Sequence, residues 1–286
     1  MACGRPEPRS GDPVRRPKRR VRIGCRWRWG RRSRRWPSSG GGEVRTVRLR
    51  VAYDGAAFDG WQRQPGRRTV QGVLETHLSE ILSEPVALTG AGRTDAGCHA
   101  RGQVATFTTA AALPVRALRP TLTRRLPADL AVRDAAEAPR GFDARHSAVA
   151  RRYAYRLLYQ DDVLLKRFAW RPRHPVDPEG LVKAVAPLLG EQDFASFQAA
   201  GGTPRGSRCR IVRASWRPWE GGLLLDVIAD HFLYHMVRNL VGTALAFQDR
   251  PDPAEAMRAC LAARDRSRAG PTAPAHALCL EEVFYP

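Results

Sequence analysis

The sequence predicts a mixed α and β fold made of two α/β halves, residues 43–147 and 148–286, behind a leader at 1–42. Three observations carry that reading. Apolar and polar residues alternate over short runs, the period of a half-buried strand, at Val47 to Tyr53 and at Tyr153 to Tyr159. Apolar residues recur at three- and four-residue intervals, the period of an amphipathic helix, from Val70 to Leu82 and from Phe232 to Phe247. A strand followed by a long helix thus occurs in both halves, with the division near 146–150, and 286 residues suffice for one large domain or two of ordinary size.

Taken in order, the first strand alternates Val47, Leu49, Val51 and Tyr53 with Arg48 and Arg50. The glycine-bearing segment YDGAAFDGWQRQPGRRTVQ reads as a loop, and the helix after it places Val73, Leu74, His77, Leu78, Ile81 and Leu82 on one face. His77 on that stripe reads as a packed histidine. Pro85 ends the helix, Val86 to Leu88 reads as a short strand, and Gln103 to Thr108 as another. Leu113 to Leu122 has helical spacing, Leu126-Pro127 is a break, and Ala131 to Arg133 reads as a strand. In the second half, Tyr153, Tyr155, Leu157 and Tyr159 alternate, and 160–176 reads as a loop. Asp177-Pro178 is a helix start, and Gly190 is its stop. Ile211 to Trp216 and Leu223 to Ala229 flank Glu220-Gly221-Gly222 as a hairpin, and the helix to Phe247 follows.

Charge points to a polyanionic partner. The chain holds 48 Lys and Arg against 28 Asp and Glu, a formal net charge of +20. Residues 1–42 carry 14 basic and 2 acidic side chains, which leaves 34 against 26, or +8, for the rest. Such an excess attracts nucleic acid through counterion release, although the scarcity of lysine (Lys18, Lys166 and Lys183) fits a biased genome equally well. The leader, rich in Arg, Pro, Gly and Ser with Trp27, Trp29 and Trp36, reads as disordered. It is either an aid to nonspecific RNA binding or a dispensable extension. The six cysteines form no CxxC pair, which argues against a zinc ribbon and fits a reducing, cytoplasmic setting. No apolar run is long enough for a transmembrane helix, and no secretory signal is visible.

The stretch that concentrates chemistry is GAGRTDAGCHARGQVATF, Gly90 to Phe107. Its first residues imitate a dinucleotide fingerprint, but Asp95 occupies the place of the third glycine and would repel a pyrophosphate. No phosphate loop of the G-x-x-x-x-G-K-[ST] kind is present. His231 and His235 stand four apart, without the glutamate of an H-E-x-x-H site or a third ligand, and read as packed or surface histidines. Asp95 is then either a turn residue or a displayed catalytic carboxylate, oriented by Arg93 amid small residues that leave room for a bulky substrate. Tyr153, after Arg151 and Arg152, is either a core tyrosine or a ring that stacks an extruded base beside phosphate-binding arginines.

Six blocks in order, YDGAAFDGWQRQ, AGRTDAGCHARGQVATF, FDARHSAVARRYAYRL, DFASF, HFLYHMVRNLVG and AGPTAPAHALCL, make the chain from about residue 47 onward resemble the tRNA pseudouridine synthase A family. The resemblance implies an α+β pseudouridine synthase fold, with two RRM-like halves sharing a mainly antiparallel central sheet and an RNA cleft. It implies isomerisation of uridine to pseudouridine in the anticodon arm of tRNA, around positions 38 to 40, by a homodimer that needs no metal or organic cofactor. Carried over onto this sequence, it makes Asp95 the catalytic residue, Tyr153 the uridine-facing ring, Arg93 the partner of the acid and Leu278 a wall of the pocket. Arg101, Arg151, Arg152 and Arg238 are the candidates for phosphate contacts. The residues leave open whether Asp95 attacks C1′ or removes a 2′ proton to give a glycal. The alternative reading is a noncatalytic RNA-binding or chaperone protein on the same fold. Cys98, Thr123-Arg124-Arg125 and Ala277 depart from the family pattern, and Ala277 bears on the shape of the Leu278 wall.

Overall fold

Alternation does build the first strand, β1 (Arg45–Tyr53), in the computed structural model, which describes Met1, residues 43–201 and residues 206–286. Val47, Leu49 and Val51 are fully buried, whereas Arg50 is exposed. The expectation of disorder over 1–42 falls, Met1 apart, outside the described residues. Thr69 caps helix α1 (Val70–Leu82) by accepting the Gly72 N–H at 3.3 Å, and Val70, Leu74, Leu78 and Leu82 form its buried stripe. Each fully buried leucine of that kind contributes about 1.5–3 kcal/mol. His77 is half-buried on the same helix, with its Nδ1 buried and without a hydrogen-bond partner. Glu75 is buried too, but its carboxylate accepts from Gln71, from the Leu88 N–H and from Arg63, so the charge is satisfied.

The next elements of the first half are β2 (Thr89–Gly90), β3 (His99–Thr109), α2 (Val115–Thr123) and β4 (Leu130–Glu137). The second half holds β5 (Ala150–Leu158), α3 (Pro178–Val185), β6 (Gly190–Asp193), β7 (Arg208–Trp219), β8 (Gly222–Ala229), α4 (Met236–Phe247), α5 (Pro253–Ala263) and β9 (Leu278–Phe284). One sheet runs β4-β1-β3-β9-β5-β8-β7-β6, and β2 pairs with β3 off that path. Every pairing is antiparallel except β3 with β9, where His99 and Ala100 face Cys279 and Leu280. The C-terminal strand therefore lies between strands of the two halves, parallel to β3 on one side and antiparallel to β5 on the other.

Several expected boundaries move, for physical reasons. Val86 to Leu88 is not a strand: the Val86 and Leu88 N–H groups are taken by the Ser79 hydroxyl and the Glu75 carboxylate, and pairing begins only at Thr89. Tyr159 lies beyond β5 and is exposed. The helix that ends at Phe247 begins at Met236 instead of Phe232, because His235 adopts a left-handed backbone, φ +58°, that no helix interior tolerates. Strands β6 and β9 were not anticipated.

Along β5, Tyr153, Tyr155 and Leu157 alternate with Arg152 and Arg156. On the arginine face Arg152 forks onto Asp226, and Arg156 bonds Glu281 at 2.5 Å. On the tyrosine face, Tyr155 donates to the Pro274 carbonyl at 2.9 Å, and Tyr153 packs edge-on against Phe232 at 5.0 Å. That second face carries the candidate site.

Candidate active site

The GRTDAG loop owes its shape to the glycine-bearing segment after β1. The Thr94 carbonyl accepts the Trp61 N–H at 3.0 Å, the Thr94 hydroxyl bonds Tyr53 at 2.7 Å, and the Gly97 N–H donates to Phe58 at 3.2 Å. Gln103 holds the Gly92 carbonyl at 2.8 Å. Gly97, φ +79°, lets the chain turn back so that the Cys98 N–H meets the Asp95 carbonyl at 3.1 Å. Gly60, φ +86°, allows a close approach, since a Cβ there would stand 2.8 Å from the Thr94 carbonyl. His99 then pins the end of the loop. Its Nδ1 accepts the Gly55 N–H at 3.0 Å, and its Nε2 lies 2.9 Å from the His276 carbonyl, to which it donates. Burial pushes the His99 ring below its usual basicity, in keeping with that neutral form.

Asp95 emerges from this frame with its side chain 19% exposed. Its Oδ2 is 3.1 Å from Arg238 Nη1 and 3.4 Å from His235 Nε2. Among the described residues no group bonds Oδ1. The sequence expectation put Arg93 in the place of the partner, and the structure corrects it: Arg93 is exposed and makes no ion pair among the described residues. Arg238, expected at a phosphate, is instead the internal arginine of the site. Its Nε donates to the Ala273 carbonyl at 2.7 Å, and the Ala273 N–H returns a bond to the Arg238 carbonyl at 3.2 Å. The next residue, Asn239, is fully buried and accepts from Thr272 at 2.6 Å and from Arg266 at 3.1 Å. Helix α4 and the segment 270–273 are thereby locked together. A Cβ on Gly242 would fall 1.7 Å from the Pro271 carbonyl, so only glycine fits there.

Tyr153 is 8% exposed, and its phenol is pushed up chiefly by burial, with the charge of Asp95 adding to the effect. Leu278 is buried opposite Tyr155, at the start of β9, and Ala277 before it is fully buried. Cys98 is buried beside Asp95, and its thiol is likewise raised by desolvation.

The remaining arginines divide. Arg151 spends its guanidinium on four backbone carbonyls, those of Ala148, Asp230, Ala91 and Arg145. Arg152 is bound in a fork to the buried carboxylate of Asp226, at 2.7 and 3.1 Å. Both are expected to contact phosphate: Arg151 is corrected to a strut of the fold because both of its Nη atoms are used, whereas Arg152 gives Asp226 only Nε and Nη2 and its side chain is 31% exposed. Arg101, the other arginine expected at a phosphate, has its side chain 70% exposed and 3.9 Å from Glu281. His235 was expected to be a packed or surface residue. Its presence at Asp95 has no sequence signal, because His235 stands just before helix α4 on a left-handed backbone and not on a helical face with Arg238.

A family model described as tRNA pseudouridine synthase matches residues 50–147 and 184–286. A protein of Moorella thermoacetica described as tRNA pseudouridine synthase A is 43% identical over 244 residues, covering 84% of this chain and 99% of that one. Proteins of the same description from Syntrophotalea carbinolica and Halalkalibacterium halodurans are 42% and 41% identical. They cover 84% and 82% of this chain and 96% and 90% of their own.

Proposed function

The chain belongs to the tRNA pseudouridine synthase family, and from that membership we propose that it isomerises uridine to pseudouridine in the anticodon arm of tRNA, around positions 38 to 40, with Asp95 as its catalytic residue. The observation that carries the assignment is the carboxylate of Asp95, with Oδ2 held by Arg238 and Oδ1 unengaged among the described residues. The reaction breaks the N1–C1′ bond, turns the uracil within the pocket and joins C5 to C1′, releasing the C5 proton. It is a redox-neutral rearrangement that asks for one oriented carboxylate. Both routes, attack of Oδ1 on C1′ and removal of the 2′ proton, use the oxygen that the protein leaves free.

The target base must leave the stack, at a cost of about a few kcal/mol. Tyr153 and Leu278 wall the place it enters, and Arg93 and Arg101 supply exposed positive charge for the phosphates. The halves 43–147 and 148–286 act as the two lobes that grip the RNA, and the working form is a homodimer, as the family resemblance suggests. The cytoplasm suits the four described cysteines, all of them free thiols, and no helix among the described residues is long and apolar enough to cross a membrane.

The test follows tritium release from C5-labelled uridine in tRNA. Wild type is expected to release tritium and Asp95→Asn is not. Absence of release by wild type, or equal release by both, rejects the assignment.

A further inference from the structure

Nothing in the family assignment gives His235 a task, yet its geometry is costly and pointed. It is one of three non-glycine residues with positive φ among the described residues, at +58°, a conformation that costs a non-glycine residue about 1–2 kcal/mol. That backbone turn is what brings Nε2 to 3.4 Å from Asp95 Oδ2, on the same oxygen that Arg238 holds. The ring is half-buried and lies against Tyr234, with centroids 3.9 Å apart. No aligned hydrogen bond joins it to Asp95, so the contact is one of charge, and its sign depends on whether the imidazole carries a proton.

We propose that His235 is a proton-gated positioning residue for Asp95: neutral, it leaves the carboxylate paired with Arg238 alone, and protonated, it places a second positive charge on that carboxylate and stops the reaction. The proposal rests on the isomerisation reading. The charged groups facing the ring are Asp95 from the catalytic loop, Arg238 from α4 and Arg266 from the turn after α5. Burial pushes the ring below its usual basicity, Asp95 opposes that, and the two arginines add to it, so the ring is neutral near pH 7 and gains its proton only on acidification. With a neutral ring the Asp95–Arg238 pair sums to zero charge; with a protonated ring it sums to +1. Departure of N1 leaves positive charge on C1′, which an added cation 3.4 Å from the carboxylate disfavours. The protonated ring also weakens Asp95 as nucleophile or base, whichever route it takes.

The test uses His235→Asn, because asparagine accepts a left-handed backbone, and His235→Gln as a second variant. In the full-length protein, histidine Cε1–H resonances are titrated by NMR, and the signal lost in His235→Asn identifies His235. Its midpoint is expected below the ordinary 6.5, and lower again in Asp95→Asn, where the stabilising carboxylate is gone. A midpoint that Asp95→Asn does not move overturns the proposal without touching the enzymatic assignment. Single-turnover tritium release is then followed from pH 5 to 8. Wild type is expected to lose rate on the acid side along a one-proton limb, whereas the Asn and Gln forms lose that limb, so that their rate relative to wild type rises roughly three- to tenfold from pH 7.5 to pH 5. An acid limb identical in all three proteins overturns the proposal. Wild type that releases no tritium at any pH overturns the enzymatic reading and this one with it.

Discussion

Replacing Arg238 by glutamine removes the guanidinium that the structure places on Asp95 while keeping a polar side chain of similar length. Two unit charges 3.1 Å apart at an effective dielectric of about 20 attract by about 5 kcal/mol. The side chains are 15% and 19% exposed, so water screens part of this, and desolvation of the guanidinium offsets a further part. Roughly half survives, about 2–3 kcal/mol, and it serves to hold the carboxylate in place: the charge alone, like that of a protonated His235, would hinder positive charge at C1′, whereas loss of that orientation corresponds to a single-turnover rate about 30- to 150-fold slower. Because the guanidinium faces inward, tRNA affinity should change less than threefold. The assay is tritium release from C5-labelled uridine under single-turnover conditions, with affinity from filter binding. A rate within threefold of wild type, or a defect that lies wholly in affinity, refutes the assignment of Arg238 as partner of the acid. Loss of its positive charge should also raise the titration midpoint of His235, a shift that Arg93→Gln should not produce.

Three further outcomes are expected. Arg151→Met leaves four carbonyls without their donor and should cost about 2–4 kcal/mol in chemical denaturation, with the salt dependence of tRNA binding unchanged. Arg101→Gln should do the opposite, lowering the slope of log affinity against log salt by about one with stability unaffected. Gly60→Ala puts a side chain at φ +86° and 2.8 Å from the carbonyl that positions the catalytic loop. At a cost of about 1–3 kcal/mol, the melting temperature should fall by roughly 2–10 °C, and isomerisation should fall with it.

How far the sequence reaches depends on the distance over which each interaction is made. The alternation of Val47, Leu49 and Val51 and the stripe Leu74, Leu78 and Leu82 arise from one element meeting one core face, so their periods are readable locally. Strand β9 escaped because LCLEEVF is short and its place between β3 and β5 is a matter of tertiary pairing. The acid itself was legible in the GRTDAG motif, but its partner was not. Arg93 is two residues from Asp95 and points to solvent, whereas Arg238 is 143 residues away and touches it. Adjacency in the chain says little about which side chains meet once a loop is clamped from outside by Trp61 and Phe58. The left-handed backbone of His235, which both shortens α4 and aims the imidazole, has no sequence signal comparable to a glycine.

The most direct measurement incubates an unmodified tRNA transcript bearing uridines at 38 to 40 with wild type and with Asp95→Asn, and maps pseudouridine base by base. Pseudouridine is expected in the anticodon arm with wild type and none with Asp95→Asn. Pseudouridine formed equally by the asparagine variant would contradict the assignment of Asp95.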